Sequence, residues 1–161
     1  MARGGLIYTG DDRHADSCQI NNNVLKGSNM ARKFINPPGL KPLGMYTQVT
    51  VAEGGSVAFV SGQVSVDANG NVVGVGNIEA QAVQVFENIK AALSAVGATF
   101  ENVIKLNIYI VGFSQERRKA VMDVRGRYIS HTNPPAATMI GVDQLVEPEL
   151  LVEIEAVAAI N

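Results

Sequence analysis

Leu150-Leu151-Val152-Glu153-Ile154-Glu155-Ala156-Val157-Ala158 is written with a period of two. Every even position is apolar, while two of the odd positions are the glutamates Glu153 and Glu155. In a β-strand, alternate side chains point to opposite faces, so this segment has one dry face and one face carrying carboxylates. The dry face needs a cover, and the chain upstream offers helices to supply it. The glutamates have two readings. They are a solvated sheet face, or they include a carboxylate set in an intersubunit cleft, where it could position water as a general acid or base.

Upstream of this strand, Ile78, Ala82, Val85, Phe86, Ile89, Ala92, Leu93 and Val96 recur at intervals of three and four, the spacing of an amphipathic helix. Asn77 suits its N-cap and Gly97 its end. Val103–Val111 (VIKLNIYIV) predicts a strand, with Lys105 and Asn107 set among apolar neighbours. A second helix is expected from an N-cap at Ser114 to about His131, with Ala120, Val121, Val124 and Tyr128 as its buried stripe. Asn133-Pro134-Pro135 closes it. Ala136–Val142 and Leu150–Ala159 predict the last two strands. Before the first helix, Tyr46–Val51, Ser56–Val60 and Asn71–Val75 read as strands. Gln63–Val66 is extended, and Asp67-Ala68-Asn69-Gly70 supplies an Asn-Gly turn. The expected order is β-β-β-α-β-α-β-β, an α+β layer with two helices on one face of one sheet. The other face is then polar, or a partner covers it.

Residues 1–29 differ from the rest. They are polar, rich in Asn and Asp, and allow at most a short strand at Leu6–Tyr8. Met30-Ala31-Arg32 repeats the opening Met1-Ala2-Arg3. We therefore expect an N-terminal extension over 1–29, flexible in the manner of chain termini, and one domain over 30–161.

The 161 residues are 47% hydrophobic, enough for one real core. Thirteen Lys and Arg against fifteen Asp and Glu give a net charge of −2, which argues against a dedicated nucleic-acid binder. No segment reaches the roughly 18–20 apolar residues that span a bilayer, and the N-terminus lacks a signal-peptide pattern. The single cysteine, Cys18, cannot form an intrachain disulfide. A soluble, cytoplasmic protein is expected. Two histidines as far apart as His14 and His131, with Cys18 in the extension, do not make a metal site, and neither histidine adjoins a nucleophile motif. Gly74-Val75-Gly76 follows a hairpin rather than the first strand of a βαβ unit, so it fails the context of a dinucleotide fingerprint.

Six segments stand in one order and spacing: Gly44-Met45-Tyr46-Thr47-Gln48, Val60-Ser61-Gly62-Gln63, Ile78-Glu79-Ala80-Gln81, Glu87-Asn88-Ile89-Lys90, the strand after Gly97, and Val152-Glu153-Ile154-Glu155-Ala156-Val157-Ala158. Together they resemble the reactive intermediate/imine deaminase family (YjgF/YER057c/UK114, also labelled endoribonuclease L-PSP) over Ile35–Ala159. The resemblance implies a chorismate-mutase-like fold and a homotrimer whose helix-free sheet faces meet around a threefold axis, with a ligand cleft at each subunit interface. It also implies hydrolysis of enamines or imines, such as 2-iminopropionate, to a keto acid and ammonia, with no metal or organic cofactor. Translation inhibition and endoribonuclease activity are labels of the same family; the acidic balance gives the latter little support.

Residue by residue, the resemblance implies that Glu153 positions the attacking water. Tyr46, Ser61, Gly62 and the backbone around Thr138 and Met139 would line the cleft. On local pattern alone, Tyr46 is equally a core-edge tyrosine and Ser61 a turn residue. The arginine that in active members holds the substrate carboxylate lies in a Pro-Ala-Arg-Ser/Thr segment. Here that segment reads Pro135-Ala136-Ala137-Thr138-Met139, so Ala137 stands in its place. An asparagine of the family's second helix is replaced by Arg125, about a quarter turn from Val124 on a helical wheel. Arg125 is a solvated arginine, or it points to the cleft and binds the anion from a different wall. Three functions follow: an imine or enamine deaminase acting on a small molecule, a non-catalytic ligand-binding or interaction trimer on the same scaffold, or a ribonuclease.

Overall fold

The computed structural model describes residues 31–37 and 46–160. The expected extension over 1–29, including the strand at Leu6–Tyr8, His14 and Cys18, lies outside the described residues, as do Gly44 and Met45. The elements are β1 (Ala31–Ile35), β2 (Val49–Glu53), β3 (Ser56–Gln63), α1 (Ile78–Ala95), a 3-10 turn (Phe100–Asn102), β4 (Val103–Val111), α2 (Gln115–Arg125), β5 (Ala136–Val142) and β6 (Val152–Ile160).

Strands β3-β6-β4-β5 form a mixed four-stranded sheet. β6 runs antiparallel to both β3 and β4, and β4 runs parallel to β5. The chain therefore makes two β-α-β crossovers, and β6 fills the gap that the first leaves between β3 and β4. That central position explains its alternation. Leu150, Val152, Ile154, Ala156 and Ala158 are buried, and the last four join the core with Phe86, Ile89 and Leu93 of α1 and Val121 and Val124 of α2. Leu106, Ile108 and Ile110 supply the β4 layer. Tyr128 extends the core by stacking on Phe86 at 5.0 Å and meeting Phe100 at 5.4 Å.

The α+β architecture and its β-β-β-α-β-α-β-β order hold, but two of the first three strands are drawn differently. Asn71–Val75 is not a strand; only a single bridge joins Val66 to Val72. The Asp67 carboxylate takes the backbone N–H groups of Asn69 and Asn71 and the Asn71 amide, so side-chain bonding folds this stretch locally. Gly74 and Gly76, at φ +71° and +75°, then turn the chain into α1. The missing strand is β1, which pairs antiparallel with β2. These two form a separate ribbon outside the four-stranded sheet, tied to β4 by Thr50 Oγ1, which donates to the Ile104 carbonyl at 2.8 Å. The second helix also stops early. It ends at Arg125 with Gly126 as cap, and tight turns rather than helix carry the chain through Tyr128.

On the face away from the helices, β3, β4, β5 and β6 present Val57 and Phe59, Lys105, Asn107 and Tyr109, Thr138 and Ile140, and Glu153, Glu155 and Val157. Phe59 is 80% exposed and Val57 and Ile140 are each 46% exposed. The uncovered face is thus part apolar and part polar. No helix among the described residues is long and apolar enough to cross a membrane.

Candidate functional site

Two groups of side chains, on opposite faces of the sheet, account for all the candidate residues. The first is built on β6. The β3–β6 register shifts between Val60 and Gln63, so Ser61 and Gly62 stand where β6 offers the single residue Glu155. This is a β-bulge, which bends a strand and re-aims its neighbours. It brings the bare Cα of Gly62 against Glu153: a Cβ there would lie 1.8 Å from Glu153 Oε1. Glu153 is half-buried. Burial, with the neighbouring Glu155 as a smaller cause, pushes its carboxyl above its ordinary value.

Glu155 is held differently. Its Oε2 accepts from Asn107 Nδ2 and from the Tyr109 hydroxyl, each at 3.0 Å. The bond to Glu155, then burial and the charges of Glu155 and Glu153, push the Tyr109 hydroxyl up. Two adjacent carboxylates on one face thus have unlike surroundings: Glu155 is tied by donors, and Glu153 is raised toward the protonated form. A cavity of about 260 Å³ lies beside Glu155, lined also by Phe59, Ser61, Lys105, Asn107 and Val157 among others. Thr138 belongs to this face and accepts from Lys105 Nζ at 2.7 Å.

The second group lies on the helix side, between α2 and β5. Tyr46, Ile108, Arg118, Met122, Arg125, Ala137 and Met139 line a cavity of about 230 Å³. Ala137 and Met139 face it because they pair in register with the buried Leu106 and Ile108. Tyr46 is brought there by its neighbour. Thr47 is buried, its hydroxyl donates to the Pro134 carbonyl at 2.5 Å, and its N–H donates to Pro135 O at 3.4 Å. Arg125 is 5% exposed. Its Nε and Nη2 are buried without a hydrogen-bond partner among the described residues, and burial pushes the guanidinium pKa down. The solvated reading of Arg125 is therefore overturned: the helix turns it inward at the flank of the Val121–Val124 stripe.

In one chain, Tyr46, Arg125, Ala137 and Met139 come together, and so do Ser61, Gly62 and Glu153, with Thr138 on the same face as the latter. The sheet lies between the two groups. Sequence reasoning did not single out the Asn107–Tyr109–Glu155 cluster, although the alternation of VIKLNIYIV already put Asn107 and Tyr109 on the face of Glu155. It also gave no role to Gln81, a fully buried amide whose Nε2 donates to Glu149 O and whose Oε1 accepts from Leu151 N, both at 2.7 Å. These bonds fix the approach to β6. Among the described residues no three His, Cys, Asp or Glu side chains could together hold a metal ion.

The sequence profile described as endoribonuclease L-PSP matches residues 37–160. Protein DfrA of Myxococcus xanthus is 35% identical over 130 residues, 80% of this chain and 96% of that protein. A 2-iminobutanoate/2-iminopropanoate deaminase of Dermatophagoides farinae is 32% identical over 130 residues, 81% of this chain and 97% of its own length. The crystal structure of a protein of the conserved Rid family from Yersinia pestis superposes with a TM-score of 0.74 at 34% identity, over 80% of this chain and 98% of that one. A profile match across the whole described sheet and relatives of this identity lead to one assignment: the chain belongs to the endoribonuclease L-PSP family, also known as YjgF/YER057c/UK114.

Proposed function

We propose that residues 30–161 form the subunit of a cytoplasmic homotrimer that hydrolyses a small imine or enamine to a carbonyl compound and ammonia. The observation that carries this reading is Glu153, a carboxylate seated against a bare glycine and raised by burial. A carboxyl raised by burial holds a proton more readily and so serves as a base and then as an acid. Glu153 takes a proton from water as the water oxygen bonds to the C=N carbon. It returns that proton to the nitrogen of the carbinolamine. Glu153 then carries the hydroxyl proton to the same nitrogen as the C–N bond breaks, giving C=O and ammonia.

The separation of the candidate residues supports a composite cleft. The wall made by Tyr46, Arg125, Ala137 and Met139 would meet Ser61, Gly62, Thr138 and Glu153 across a junction between subunits. The exposed Phe59, Val57 and Ile140 on the open face favour burial of that face between copies. The ligand is a small molecule rather than nucleic acid, in keeping with the net charge of −2. The relative from Dermatophagoides farinae, a 2-iminobutanoate/2-iminopropanoate deaminase, supports the reaction class.

A second reading, a non-catalytic ligand-binding protein on the same scaffold, is favoured by one observation: Ala137 has neither charge nor donor. Freshly generated 2-iminopropionate separates the two. Ammonia release above background that is lost in Glu153→Ala supports the enzyme. Equal rates in the wild type, the variant and buffer leave the binding protein.

A further inference from the structure

The helix-side cavity contains a charge problem that nothing among the described residues solves. Arg125 is 5% exposed, and its Nε and Nη2 have no partner among the described residues. A buried cation is normally paired, since taking it from water without a counter-charge is costly. Asp123, two residues before it, is engaged with Lys119 Nζ at 2.5 Å. The described residues lining the cavity include Arg118, which is engaged elsewhere, and Arg125, and no carboxylate. The other described lining residues are Tyr46 and the apolar Ile108, Met122, Ala137 and Met139. The side chain at 137 is a single methyl group, so the β5 wall of the cavity that Arg125 also lines is short at this position.

We infer that Arg125 is the anion-binding residue of this protein: it holds the carboxylate of a short aliphatic 2-imino or 2-keto acid inside the cavity between α2 and β5. This deepens the proposed deaminase reading and rests on it for the reacting group, although the binding step is independent of turnover. A planar guanidinium donates two parallel hydrogen bonds to a carboxylate, and Arg125, which lines the cavity, has two donors without a partner among the described residues. The apolar lining suits an alkyl chain. The volume of about 230 Å³ lies below the range of about 300–1,000 Å³ usual for drug-sized ligands, which points to a metabolite of few heavy atoms. The anion is gripped from α2 rather than from β5, in a cavity that Met122 and Met139 also line.

The test is binding of 2-oxobutanoate to the full chain, followed by NMR of methionines labelled at the methyl carbon. Met122 and Met139 report on the cavity. The expected result is saturable shifts at both methyls, about 30-fold or more weaker in Arg125→Gln, intermediate in Arg125→Lys, and unchanged in the surface variant Lys119→Gln. The uncharged 2-oxobutanamide should bind equally weakly to wild type and Arg125→Gln. The inference is overturned if wild type gives no shifts, if acid and amide bind alike, or if Arg125→Gln binds the acid as wild type does. If Arg125→Gln does not fold, the wild-type preference for acid over amide and the Arg125→Lys titration decide. Binding without ammonia release from 2-iminopropionate would sink the deaminase reading and leave the anion site. Ammonia release with an indifferent Arg125 would do the reverse.

Discussion

Gly62 and Glu153 occupy space that a methyl group would need: a Cβ on Gly62 would lie 1.8 Å from Glu153 Oε1 and 2.7 Å from its Cδ. The obstacle is the far end of a side chain, not backbone, so the fold can yield where the carboxylate cannot stay. Gly62→Ala should therefore lower stability by only about 1–2 kcal/mol while displacing Glu153. The expected outcome is a near-normal urea unfolding curve together with loss of most ammonia release from 2-iminopropionate. A stable variant with full activity would show that the seat of Glu153 does not matter.

Glu153 also has a pH signature. Burial raises its carboxyl in the folded state above the unfolded value, so the folded chain holds that proton more tightly. The associated stability is present below the unfolded value and is lost as pH rises through the folded one. Glu153→Gln removes the dependence. Unfolding free energies of wild type and variant, compared at pH 4 and pH 7, should differ more in the variant's favour at pH 7. Taking the difference cancels the opposite contributions of Asp67 and Glu87, whose carboxyls hydrogen bonds hold below their ordinary values.

Arg125 predicts a trade of stability against binding. An unpaired buried cation weakens the fold, and methionine is apolar and of similar length. Arg125→Met should leave unfolding stability unchanged or raise it by up to about 3 kcal/mol, measured from denaturant midpoints in the absence of ligand. A loss of several kcal/mol would mean that the guanidinium has a structural partner.

Gln81 predicts the opposite. Gln81→Leu keeps the volume but leaves Glu149 O and Leu151 N without their partner. The expected cost is about 2–4 kcal/mol, seen as a lower urea midpoint at unchanged slope.

Much of this was legible in the residues. The stripe from Ile78 to Leu93 is a helix because its apolar positions share one side, and VIKLNIYIV and VEIEAVA are strands because theirs alternate. The β1 strand was not legible. ARKFI places two cations in five residues, and its partner β2 lies beyond Asn36-Pro37-Pro38-Gly39. Asn71–Val75 has strand-like composition, but Asp67 captures its backbone first. For the site, alternation within one strand puts Glu153 and Glu155 on one face. It cannot say that a bulge at Ser61–Gly62 seats one of them, or that Asn107 and Tyr109 hold the other. The inward turn of Arg125 was visible only as a position at the edge of a stripe, where an arginine can go either way.

The place of β6 between β3 and β4 has a consequence for how a ribosome delivers this fold. Neither neighbour can complete its hydrogen bonds until residues 152–160 have emerged, after both helices have been made. Pairing Ser56 with Ile160 closes a long stretch of chain in one step, and such distant contacts slow folding. Until then the exposed edges of two strands and a half-covered core wait together, so the nascent chain has to be kept from pairing with its neighbours before it can pair with itself.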